Sequence, residues 1–212
     1  MTQIEDIKEI RNLMERSTRF LSLSGFSGIF AGIFALIGAF FAWWYINQID
    51  SIISLNIWGT GLISNPVFIL ILDGLLVFVF ALSGGVYFSM RKAKKQGVSF
   101  WTKPSKLLLI NFLIPIISGG FFCLFLIIYG FYIMIVPASL IFYGLALVSA
   151  SKYTFNATLY FGICEIILGI LSGIFVGYGI WFWALGFGIL HIVYGTVIYF
   201  IKDNGTANKQ IK

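Results

Sequence analysis

One histidine, two cysteines and a charged fraction of only 10% are all that this 212-residue chain offers to solution chemistry. Each scarcity closes a class of function. With 59% hydrophobic residues and a mean hydropathy of +0.97, the chain cannot cover a globule of this length with a water-soluble surface. Cys123 and Cys164 both lie inside apolar runs, so they do not read as a disulfide framework. A lone histidine excludes His-rich metal spacing, and no metal or other cofactor is expected. No phosphate-cradling loop or nucleophile constellation stands out, which leaves an enzyme, even a lipid-modifying one, with the least support. The first roughly 18 residues interleave charge with Ile and Leu instead of forming a short apolar core, so no cleavable signal peptide is expected.

What the chain has instead is long apolar runs, at 20–46, 66–88, 107–129, 131–150, 156–177 and 180–201. Each is near the ~20 residues that a helix needs to cross about 30 Å of hydrocarbon. The predicted fold is all-α: a polytopic bundle of six transmembrane helices arranged as three hairpins. All fourteen Lys and Arg fall on one side of it. Lys8, Arg11, Arg16 and Arg19 precede the first span, and Arg91, Lys92, Lys94, Lys95, Lys103 and Lys106 lie between the second and third. Lys152, Lys202, Lys209 and Lys212 complete the set. Basic residues are retained on the cytoplasmic side near span ends, so both termini are expected there. Topology thus accounts for the +6 formal charge without a nucleic-acid partner. Arg91, Lys92, Lys94 and Lys95 would also attract anionic lipid.

Three segments divide the chain: a cytoplasmic amphipathic helix over 1–19, the membrane domain over 20–201 and a tail over 202–212. In the first, Ile4, Ile7, Ile10 and Met14 share one helical face opposite Glu5, Lys8, Glu9, Arg11 and Glu15, as in a helix lying in the headgroup plane. Trp43, Trp44, Trp58, Trp181 and Trp183 gather at the opposite ends of the spans, where amphipathic rings prefer to sit. Spans 3 and 4 join around Gly130 and spans 5 and 6 around Tyr178 and Gly179, so each pair should be antiparallel, whereas the semi-apolar 47–65 segment is a longer outer connection. Residues 27–39 align without gaps on 161–173, and 142–144 on 193–195, as duplicated hairpins would. Ser24, Gly28 and Gly32, beside Ala31, Ala35 and Ala39, and Gly169, Gly173 and Gly177 form small-residue faces. Such faces serve either packing within the chain or a homodimer seam. Pro115 and Pro137 are expected to kink spans 3 and 4.

Ionisable groups within the spans are the functional lead, because each is costly in hydrocarbon. They are Asp73, Glu165 and His191. Glu165 stands thirteen residues before Tyr178 and His191 twelve after Gly179. Two helices folded at that turn bring both to about 18–20 Å from it, near mid-bilayer. Gly162, Glu165, Gly169 and Ser172 share one helical stripe, and Ala184, Gly188, His191 and Gly195 another. A meeting pair is either a neutral hydrogen bond fastening two helices or, if water reaches it, a proton or ligand site. Asp73 is a candidate second proton site. Asn111, Ser118 and Cys164 are candidate polar lining.

Gly25-Phe26-Ser27-Gly28 resembles the serine motif of rhomboid proteases, but it stands in the first span and Ser27 reads as a packing residue. Met14-Glu15-Arg16-Ser17, the stretch from Phe20 to Gly25, and the run from Leu185 to Gly195 resemble a family of small bacterial six-helix membrane proteins. That likeness implies a bacterial inner-membrane location and no particular activity. The last hairpin is similar, more loosely, to the HdeD-like acid-resistance membrane family. Taken together, the expectation is a non-enzymatic protein that moves or senses a small solute or proton through a mid-membrane polar site. The alternative is a structural or stress-related protein acting through helix packing or a partner.

Overall fold

The computed structural model describes residues 23–49 and 66–200. The expected amphipathic helix over 1–19, the tail over 202–212 and most of the 47–65 connection, Trp58 included, lie outside the described residues. Six helices long and apolar enough to cross a membrane make up what is described, with no strand among these residues. They are α1 (Gly25–Ile49), α2 (Pro66–Lys95), α3 (Lys103–Ile128), α4 (Ile135–Ser151), α5 (Asn156–Ile174) and α6 (Gly179–Ile198). An all-helical answer follows from the solvent: hydrocarbon offers backbone groups no partners, so each span must satisfy its own.

Every basic residue among the described ones lies at one end of the bundle, here the basic face. Lys92 Nζ donates to Leu23 O at 2.7 Å there, drawing the start of α1 to the end of α2. α2 runs to Lys95, well past the apolar run, because long basic side chains can extend toward water from the last turn. A Thr102–Ser105 capping box with Pro104 in the first turn starts α3 at the same face. The opposite end, the turn face, carries exposed Trp43, Trp44, Tyr129 and Trp181. Gly177 there has φ +99°, a conformation that side chains resist, and α5 accordingly stops at Ile174 and not at 177.

Pro115 sits inside α3 as expected, but Pro137 is the third residue of α4, preceded by a 3-10 turn at Tyr132–Met134. A first-turn proline has no intrahelical bond to break, so Pro137 marks a helix start and not a mid-span kink.

The helices form two closely packed groups. α4 packs on α5 and α3, and α1 packs on α6 and α2. Although α5 and α6 are consecutive, the main partner of α6 is α1. Glycines explain the close seams. A methyl group at Gly144 would lie 2.6 Å from Gly162 O and 2.9 Å from Ile166 N. The same seat recurs at Gly32, 2.6 Å from Gly188 O and 3.0 Å from Ile192 N, and at Gly169, 3.0 Å from Pro137 O and 2.9 Å from Ile141 N. Each time, a glycine lies over the carbonyl of one residue and the amide of the isoleucine four residues on. With no hydrophobic drive between helices in lipid, this backbone approach supplies the packing contact. The small-residue faces at Gly28, Gly32 and Gly169 are therefore occupied within the chain. Gly144 and Gly195, paired by the internal alignment, both stand at such crossings, α4 on α5 and α6 on α1.

α2 and α3 lie at the flanks and turn most of their surface outward, with Leu75, Phe78, Phe80, Ile114, Phe121 and Phe125 exposed. Such a surface suits a lipid bilayer and not water.

Candidate functional site

Because α5 leans on α4 and α6 leans on α1, the space between α5 and α6 is bridged by side chains and not closed by backbone. Glu165 and His191 meet there. The stripe expected on α5 is buried throughout, at Gly162, Glu165, Gly169 and Ser172, and Gly188, His191 and Gly195 are buried on α6. Glu165 is 0% exposed and His191 8%. Their nearest polar atoms, Oε1 and Nδ1, are 3.9 Å apart, which is too long for a hydrogen bond.

α6 is unusual in the turn before the histidine. Ala184–Leu190 winds as a π-helix between two α-helical pieces, Gly179–Trp183 and His191–Ile198. Hydrogen bonds that span five residues instead of four leave backbone groups differently aligned, and such segments concentrate at functional sites. Gly186, within it, serves the cluster twice. Its carbonyl accepts from His191 Nδ1 at 3.2 Å, and its missing side chain is the seat of the carboxylate. A methyl group on Gly186 would lie 2.5 Å from Glu165 Oε2 and 2.6 Å from Leu140 Cδ2.

The other imidazole nitrogen is held from α4. Tyr143 OH and His191 Nε2 are 2.7 Å apart, and the two rings stack at 5.3 Å. Since a carbonyl only accepts, Nδ1 carries a proton; in the neutral ring Nε2 then accepts from the phenol. Phe161 closes the ring edge-on at 4.8 Å, and Phe187 lies at 6.1 Å. One layer nearer the basic face, Tyr194 stacks on Phe161 at 4.8 Å, and its hydroxyl bonds Thr158 Oγ1 at 2.7 Å.

His191 therefore has both nitrogens satisfied, whereas Glu165 has neither oxygen hydrogen-bonded among the described residues. A carboxylate buried without donors is expensive, and most buried polar groups avoid that state. A shift of about 1 Å would bring Oε1 within bonding reach of Nδ1–H, in competition with Gly186 O.

The remaining sequence candidates stand elsewhere. Asp73 is on the α1–α2 seam, where a methyl group at Gly38 would lie 3.4 Å from both its carboxylate oxygens. Asn111 Nδ2 donates to Leu107 O at 2.8 Å within its own helix. Ser118 is exposed and donates to Ile114 O, and Cys164 is exposed on the far side of α5. Ser27 donates at 2.5 Å to the carbonyl of Ser24, which stands just before α1 begins. Sequence reasoning missed Tyr143, Gly186, Phe161, Thr158 and Tyr194 as parts of the site. Two of them stood in the internally aligned tripeptides, Phe142-Tyr143-Gly144 and Val193-Tyr194-Gly195, whose tyrosines were the available signal.

No protein-family model, curated protein or solved structure matches the chain.

Proposed function

We propose that this six-span chain is a non-enzymatic protein of a bacterial inner membrane that senses or moves protons through a mid-membrane site formed by Glu165, His191 and Tyr143. One observation carries the reading. A fully buried carboxylate stands 3.9 Å from an imidazole whose own hydrogen bonds are complete, and is itself without a donor among the described residues. A pair kept only to fasten two helices would gain most from a direct bond of ordinary length. Glu165 and His191 are instead held one small movement short of it, so a proton arriving at either group changes which bonds are made.

The chemistry follows from the donor set. With His191 neutral, Nδ1–H serves Gly186 O and Tyr143 donates to Nε2. A proton delivered to Nε2 reverses the Tyr143 bond, because the phenol oxygen must then accept, and leaves an imidazolium beside the carboxylate. That pair attracts across the α5–α6 gap, in a setting where charge is weakly screened. The π-helical turn between Gly186 and His191 is the element best placed to absorb the shift. A close-packed site of this kind suits a proton better than a larger solute.

Full burial of Glu165, with aromatic rings around His191, favours the competing reading of a purely structural contact. Purified protein in liposomes carrying an internal pH dye separates the two. The proposal expects flux or a protonation-linked infrared change in the wild type, abolished by Glu165→Gln with the fold retained. A Glu165→Gln protein with wild-type responses, or a wild type with none, refutes it.

A further inference from the structure

Hydroxyl groups on these helices have a habitual partner, the carbonyl three or four residues back. Ser83, Ser118, Ser139, Ser151 and Thr196 each donate to one, at 2.7–3.0 Å. Ser172 is different, as is Ser89 on α2. Ser172 is 3% exposed, yet its hydroxyl has no hydrogen-bond partner among the described residues. It stands two turns from Glu165 on the same buried stripe of α5, about 10 Å nearer the turn face. Two orphaned polar side chains thus share one helix face, and both are more than nine-tenths buried.

Packing along that face is graded. At Gly162 and Gly169 a methyl group would meet α4 atoms at 2.8 Å and 2.6 Å, but at Gly173 the nearest is Pro137 Cβ at 3.8 Å. Gly179, the first residue of α6, likewise clears Val136 by 3.6 Å. The helices are therefore closest at mid-span and relax toward the turn face. Toward the basic face the opposite holds. Phe161 stacks on Tyr194, the Tyr194 hydroxyl bonds Thr158, and Phe161 and Thr158 are both buried.

We propose that the Glu165 site takes up water from the turn face, through the gap between α4, α5 and α6 with Ser172 as its polar station, and is sealed from the basic face by the Phe161–Tyr194–Thr158 layer. Buried water typically bonds otherwise unsatisfied polar groups in roomy polar sites, and apolar voids stay dry. Along α5, Glu165, the unsatisfied Ser172 hydroxyl and the relaxed packing follow one another toward the turn face. The inference rests on the proton reading above for its purpose and gives it a sidedness: protons exchange with the turn-face compartment in the conformation described.

Thiol accessibility tests it. In full-length protein carrying Cys123→Ser and Cys164→Ser, single Ser172→Cys and Thr158→Cys variants are reconstituted in vesicles of each orientation. They are then treated with a membrane-impermeant cationic methanethiosulfonate. Ser172→Cys should be modified from the turn face and not from the basic face. Thr158→Cys should stay unmodified from the basic face until Tyr194→Ala opens the layer. An unmodified Ser172→Cys, or a Thr158→Cys modified from the basic face in the otherwise intact layer, overturns the proposal. Should either variant fail to fold, the chain with its natural residues supplies the measurement. The infrared carbonyl stretch of protonated Glu165, identified by its loss in Glu165→Gln, should shift on contact with D2O ahead of the bulk of the amides, and a band that does not shift refutes hydration. The two readings fail separately. A Glu165 band that responds to pH while Ser172→Cys stays unmodified removes the path alone, and a modified Ser172→Cys with a band that never responds removes the proton reading.

Discussion

Gly186→Ala puts the site's geometry under direct load. The added methyl group would stand 2.5 Å from Glu165 Oε2 and 2.6 Å from Leu140 Cδ2, where ordinary contact begins at 3.4 Å. Both obstacles are side-chain ends, so the backbone can hold while the carboxylate and the leucine each retreat by about 1 Å. Overpacking of this order costs about 1–3 kcal/mol, and replacing glycine in a helix returns up to ~1 kcal/mol. The net expectation is a destabilisation of roughly 1–2 kcal/mol, carried largely by Glu165. It is read by reversible unfolding in mixed micelles or by steric trapping in bicelles, as a double-mutant cycle with Glu165→Ala. Removing the carboxylate should relieve part of the cost, giving a coupling of about 1 kcal/mol, and should shift the His191 ring resonances along with it. A Gly186→Ala protein as stable as wild type, or a cycle with no coupling, would refute the placement of the carboxylate over Gly186.

Further perturbations probe the rest of the arrangement. Tyr143→Phe removes the donor to Nε2, so nitrogen NMR of His191 should show loss of that bond with the proton still on Nδ1 toward Gly186 O, at a stability cost of about 1 kcal/mol. Gly195→Val should be far more damaging than Gly186→Ala. Its neighbours are all backbone, Ile29 N at 2.5 Å and Gly25 O at 2.6 Å, so α1 and α6 must separate, with a loss of several kcal/mol or failure to fold. Gly74→Ala and Gly120→Ala, with nothing within 4 Å, should be neutral or stabilising by up to ~1 kcal/mol in the same unfolding assay. Thr158→Val and Tyr194→Phe should be non-additive, with a coupling of about 0.5–1.5 kcal/mol in a double-mutant cycle.

How legible the molecule was from its residues differs between spans and site. Six apolar runs of membrane-crossing length stand in the described residues as six helices. Only their ends moved, because α2 continues in water on basic side chains and α5 is cut short at Phe175 before the Gly177 turn. The meeting of Glu165 with His191 was also readable. A short turn fixes two helices antiparallel, a rise of 1.5 Å per residue fixes depth, and a 100° step fixes the face. Tyr143 was not readable, since its place opposite Nε2 depends on how α4 lies against α5, and no sequence spacing links residues 48 apart on separate helices. Asp73 shows the converse. It shares the rarity of Glu165 but sits against Gly38 on a different seam, and composition cannot assign an acid within a span to a partner.

The sequence by itself determined what the bilayer imposes: helices long and apolar enough to span, their number, one basic face and the level along the helices at which Glu165 and His191 stand. These follow from short-range rules, because hydrocarbon penalises every unsatisfied backbone group regardless of neighbours. Only the tertiary structure decided that α6 leans on α1, that its backbone widens to a π-helix before His191, and that Gly186 leaves a seat for the carboxylate. Those features depend on which glycine meets which carbonyl across a seam, and many nearly equivalent glycines compete for that role until the whole bundle is packed.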